Sequence, residues 1–64
     1  MITKYIVVEH NYVAENIFYH VDCGEFNSYE SAMNFVELCC RMSEGRDVYY
    51  TIDKRYMLAD DNGD

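Results

Sequence analysis

The stretch Ser28-Tyr29-Glu30-Ser31-Ala32-Met33-Asn34-Phe35-Val36-Glu37-Leu38-Cys39-Cys40-Arg41-Met42-Ser43-Glu44, closed by Gly45, decides the fold. It runs seventeen positions without glycine, proline or a cluster of β-branched residues, so nothing in it opposes a helix. Asn27 or Ser28 can cap its start, with Glu30 three residues after Asn27 in a box-like arrangement. Gly45 stands where a left-handed cap belongs.

Outward from this helix, both flanks read as strands. Upstream, Thr3–His10 is rich in β-branched and aromatic residues, with Ile6 and Val8 on one face and Tyr5 and Val7 on the other. A loop over Asn11–Asn16 is expected, because no Asn-Gly or Asp-Gly pair marks a tight turn. A second strand, Asn16–Cys23, alternates Ile17, Tyr19 and Val21 with Phe18, His20 and Asp22, and Gly24 is expected to break it. Downstream, Asp47 to about Leu58 forms the last strand, with Val48, Tyr50 and Ile52 opposite Tyr49 and Thr51.

The expected fold class is therefore α+β. A three-stranded, mainly antiparallel sheet in β-β-α-β order carries one helix on one face. A crossover passing over the first strand gives spatial order 2-1-3, and order 1-2-3 with a parallel pair is the competitor. The 64 residues make one domain, 1–59, followed by an acidic tail, 60–64, expected to lack order. Half the residues are apolar and 16% aromatic, enough to build a core, though a thin one at this length.

Twelve acidic residues against five basic ones give a net charge of −7 and a pI near 4.5. Such a field repels nucleic-acid phosphates and anionic lipid, so neither direct nucleic-acid binding nor membrane binding is expected. A protein with a basic surface is the natural complement, although the same charge also serves solubility. Cys23, Cys39 and Cys40 are an odd number with two adjacent in the helix, which is not a disulfide framework. With no signal-peptide pattern and no long apolar run, a reducing cytoplasmic location is expected.

Catalytic chemistry finds little support. His20 and Cys23 are the only local nucleophile–base candidates, and residues three apart on a strand face opposite sides. His10, His20, Cys23, Cys39 and Cys40 show no metal-ligand spacing, so no metal is expected. No glycine-rich phosphate loop or hydrolase motif occurs. The expectation is a protein that is not an enzyme and carries no cofactor.

What remains is surplus apolar surface. The helix clusters Tyr29, Ala32, Val36, Cys39 and Cys40 on one side with Met33 beside them, but Phe35, Leu38 and Met42 widen the arc beyond the ~100° a surface helix needs. The segment Tyr56-Met57-Leu58 can fold back over Leu38 and Met42; otherwise a partner or a second copy covers them. The sheet face away from the helix is expected to show Tyr5, Val7, Phe18, His20, Tyr49 and Thr51, and aromatics on an open face are suited to anchor an interface. The candidate partner-binding residues are therefore Tyr5, Val7, Phe18, His20, Tyr49, Leu38 and Met42, with Glu37 and Glu44 beside the last two.

The β-β-α-β order, with Phe26-Asn27-Ser28-Tyr29-Glu30-Ser31-Ala32-Met33-Asn34-Phe35 opening the helix, resembles very small bacteriophage accessory proteins of the host-takeover and anti-defence kind. The resemblance implies a protein that binds and inhibits a host protein in the host cytoplasm: RNA polymerase, a nuclease or another defence factor. No functional residue carries over from it. Dispersed acids such as Glu9, Glu15, Asp22 and Glu25 also allow partial imitation of nucleic-acid phosphates. The alternative is a self-associating module, a homodimer built on the same surplus surface.

Overall fold

The long β-branched run at the start of the chain forms β1 (Ile2–Ala14), which turns back as β2 (Ile17–Phe26) in the computed structural model, which describes residues 1–58. Helix α1 (Tyr29–Met42) follows, and β3 (Val48–Met57) completes the sheet. The strand order is β2-β1-β3 with both pairs antiparallel, the 2-1-3 arrangement the crossover allows. The acidic tail lies outside the described residues.

Three boundaries differ from expectation. First, β1 does not stop at His10: Tyr12 and Val13 extend it, and the turn shrinks to Glu15-Asn16. Asn16 supplies the left-handed conformation (φ 62°), which asparagine tolerates better than most residues, so no glycine is required. Second, β2 passes through Gly24 to Phe26, with Cys23 as the extra residue where pairing shifts from Val8–Asp22 to Val7–Gly24. Glycine within a strand often marks such a bulge. Third, the helix is shorter than expected. Ser28 alone caps it, its Oγ accepting the Ser31 N–H at 3.1 Å. Asn27 instead accepts from Lys4 Nζ at 2.6 Å, so the Asn27/Glu30 box is not used. The helix closes at Ser43, whose N–H donates to the Cys39 carbonyl, and Gly45 follows at φ 88°.

The lengths of these elements set the shape. Thirteen residues of β1 span about 43 Å at strand rise, whereas fourteen residues of α1 span only about 21 Å. The helix therefore covers roughly half of an elongated molecule measuring 47 × 24 × 13 Å. Tyr29 at its start meets Tyr5 edge-on (6.0 Å between centroids), and Ser43 at its end reaches Tyr50. Beyond that point no second layer covers the far end of the hairpin among the described residues.

The faces of β1 are the reverse of those expected. Tyr5, Val7 and Glu9 lie under the helix, and Ile6, Val8 and His10 lie on the open side. Alternation alone could not orient this strand, because Tyr5/Val7 and Ile6/Val8 are equally apolar and a one-residue slip exchanges the faces. Ile6 and Val8 are nonetheless buried. Arg55 of β3 reaches across β1 to Asp22 of β2 (3.1 and 3.4 Å) and also holds Asp53 (3.1 Å). The aliphatic stem of this arginine covers the central strand where no helix does.

Candidate functional site

Five aromatic rings gather on the open face, where β1, β2 and β3 run past the end of the helix. Strand pairing places His20, His10 and Tyr49 in one row across the sheet, with Phe18 and Tyr12 paired in the next. Tyr49 stacks flat on His10 (4.4 Å, 7°), while Phe18 meets both Tyr49 (5.7 Å) and Tyr12 (5.6 Å) edge-on. These offset and T-shaped contacts hold each ring at little entropic cost. Phe18 and Tyr49 still expose 41% and 49% of their surface. Arg46, Asp47 and Val48 complete a shallow groove against them.

The structure thus brings Phe18, His20, Tyr49 and Thr51 together on the open face as anticipated, and adds His10 and Tyr12. Tyr12 lies beyond the expected strand end at His10, and both residues share the face of Ile6 and Val8, which was expected to lie under the helix. Tyr5 and Val7 do not belong to this surface. Val7 has no exposed area at all, and Tyr5 packs on Tyr29 of the helix.

A second surface lies on the other side of the molecule. Leu38 and Met42, one turn apart on α1, are 48% and 76% exposed. The segment Tyr56-Met57-Leu58 does not cover them: Tyr56 and Met57 stay in β3, paired with Thr3 and Ile2, and Leu58 is itself exposed. Glu37 and Glu44 line a groove with Val36, Cys40 and Arg41. The candidate residues therefore form two separate patches rather than one.

Between the two, a polar chain fastens the helix end to the sheet. Tyr50 donates to Glu9 Oε2 (2.7 Å), Asn11 donates to Glu9 Oε1 (3.0 Å), and the buried Ser43 hydroxyl meets the Tyr50 hydroxyl (2.7 Å). The hydrogen bonds from Asn11 and then Tyr50 hold the Glu9 carboxyl below its ordinary 4.5, despite some desolvation. A lowered carboxyl pKa contributes stability that is present above the unfolded value and lost as pH falls through the folded one. Tyr50→Phe should therefore cost about 1–2 kcal/mol at neutral pH, and the difference should shrink as pH falls through the lowered Glu9 value. Urea titrations of both proteins stepped downward from pH 7 check this; a difference that stays constant over the whole acid range removes Glu9 from the account.

Desolvation, with Glu9 nearby, pushes the Cys23 and Cys39 thiols up, so neither is a ready thiolate. Among the described residues, no three His, Cys, Asp or Glu side chains converge on one point, and no helix is long and apolar enough to cross a membrane. The site and topology define a small, open-faced α+β chain with aromatic and acidic–apolar surfaces. Comparison with known proteins finds no matching family model, no matching curated protein and no matching solved structure.

Proposed function

We propose that this chain is a binding protein that docks on and inhibits a basic, nucleic-acid-handling host protein such as RNA polymerase, a nuclease or a defence factor. The observation that carries the reading is the half-exposed aromatic cluster Tyr12–Phe18–Tyr49 on a sheet face that none of the described residues covers. Rigid aromatics that are already packed on one another bury large area at low entropic cost, which is what interface anchors require. The net charge of −7 supplies steering toward a basic partner and a high association rate at low salt. The exposed pair Leu38 and Met42, with Glu37 and Glu44 elsewhere on the same helix, offers a second contact.

Capture from bacterial lysate with salt-graded washes identifies the partner, and purified partner then tests the surface. Phe18→Ala and Tyr49→Ala should each weaken binding by about 2 kcal/mol, roughly 30-fold, without unfolding the chain. Leu38→Ala should have a smaller effect. Unchanged affinity in both aromatic variants places the interface elsewhere.

A homodimer is the second reading, favoured by the unpaired outer edges of β2 and β3. Repulsion between two chains of charge −7 opposes it. A concentration-independent monomer mass in sedimentation equilibrium eliminates it.

A further inference from the structure

His10 and His20 are direct partners across the β1–β2 pair, and their Nδ1 atoms stand 2.7 Å apart. His10 is fixed on two more sides. Its Nε2 lies 2.8 Å from Thr51 Oγ1, and Tyr49 stacks flat on its ring. When His10 Nε2–H donates to Thr51, its Nδ1 presents a lone pair, and His20 Nδ1 supplies the hydrogen between the rings. A single proton thus bridges two imidazole nitrogens on an exposed sheet face.

A metal ion can occupy the same place. Metal–imidazole bonds are about 2.0 Å long, so two nitrogens at right angles around one ion lie about 2.8 Å apart, against about 3.3 Å for a tetrahedral pair. The observed 2.7 Å fits the right-angled case. That geometry belongs to tetragonal N,O sites, which suit Cu(II) and Ni(II), and Cu(II) stands highest in the affinity order of divalent ions. The Thr51 contact is the kind of outer partner that sets the tautomer and aim of a ligating histidine. His χ2 is a broad torsion, so the His20 ring can turn its lone pair toward an ion seated beside the His10 ring, which Thr51 and Tyr49 hold in place.

We propose that the cross-strand pair His10–His20 is a two-nitrogen chelate for a divalent ion of tetragonal preference, Cu(II) first, with water filling the remaining positions. The hydrogen on His20 Nδ1 moves to its Nε2 as the ion enters, so the neutral pair binds without net proton release. The chain's negative field favours the cation. This inference does not depend on the partner-binding reading, because it concerns an ion and two side chains alone.

The test uses the full chain carrying Cys23→Ser, Cys39→Ser and Cys40→Ser, so that thiols cannot reduce Cu(II). Titration followed by electron paramagnetic resonance should show one equivalent of tetragonal Cu(II) coupled to two imidazole nitrogens. Thr51→Val keeps the side-chain shape but removes the oxygen, and should weaken affinity about 10–100-fold with unchanged circular dichroism. A His10→Ala/His20→Ala chain that binds Cu(II) as tightly as its parent overturns the proposal, as does a spectrum without nitrogen coupling. If the thiol-free chain does not fold, the unaltered reduced protein is titrated with Ni(II) and read at the two histidine rings by NMR. Perturbation centred on His10 and His20 supports the chelate, and rings left unperturbed overturn it.

Discussion

Val7→Ala should lower the stability of this protein by about 2–3 kcal/mol and its melting temperature by roughly 10–20 °C. Val7 sits at the middle of the central strand with no exposed surface, between Gly24 on β2 and Ile52 on β3. Losing two methyl groups removes about 1.6 kcal/mol of transfer free energy at ~0.8 kcal/mol per carbon. A cavity term adds to this, because the pleated backbone around the site cannot collapse onto the gap. Against a total stability of roughly 3–10 kcal/mol for 64 residues, the loss is large. Thermal denaturation by circular dichroism measures it. A shift below about 3 °C means that the site is looser than its burial indicates. The folded fraction of the variant should still bind a partner held by Phe18 and Tyr49, since Val7 touches neither patch.

Gly24→Val should cost about 2–3 kcal/mol, for the opposite reason. A Cβ at this position falls 2.8 Å from the Phe26 ring, closer than carbon atoms can approach, and 3.2 Å from the Phe35 ring, a contact tight enough to push that ring aside by a few tenths of an ångström. The Phe26 ring cannot simply swing aside, because it leans on Phe35 of the helix at 5.1 Å. Space, not backbone conformation, makes glycine necessary here: the glycine lets the bulged edge strand pass close beneath the helix. Valine has the better intrinsic strand preference, and that gain recovers less than the clash takes. Chemical denaturation distinguishes the cases. Equal or greater stability for Gly24→Val means that the two rings repack freely, and that the helix is not seated as closely on β2 as these distances require.

Both substitutions bear on how far the sequence could be read. Fold class, element order and helix were legible because their signals are local: an uninterrupted helical run, a serine cap and β-branched strands on either side. The face of β1 was not, since Tyr5/Val7 and Ile6/Val8 offer the same chemistry to either side. The strand's full length was also hidden, because Asn11 and Asn16 read as loop residues while Asn11 is in fact drawn inward to bond Glu9. The reversed face added Tyr5 and Val7 to the candidate surface and left out His10, and the short strand left out Tyr12. Of the candidate surfaces, the open-face placement of Phe18, His20, Tyr49 and Thr51 and the exposure of Leu38 and Met42 were legible from periodicity.

By itself, then, the sequence determined that this is an acidic α+β chain with one helix, three strands and more apolar surface than one small core can absorb. Only the tertiary structure decided which surface stays open. Three long-range facts made that choice. The helix is half the length of β1 and leaves the hairpin end bare, the Gly24 gap seats it over Tyr5, Val7 and Glu9, and Arg55 crosses the far face to cover Ile6. Each joins residues that lie far apart along the chain, and periodicity reports only on neighbours. The meeting of His10, His20, Thr51 and Tyr49 belongs to the same class, because it depends on the register of three strands and not on the spacing of residues in one.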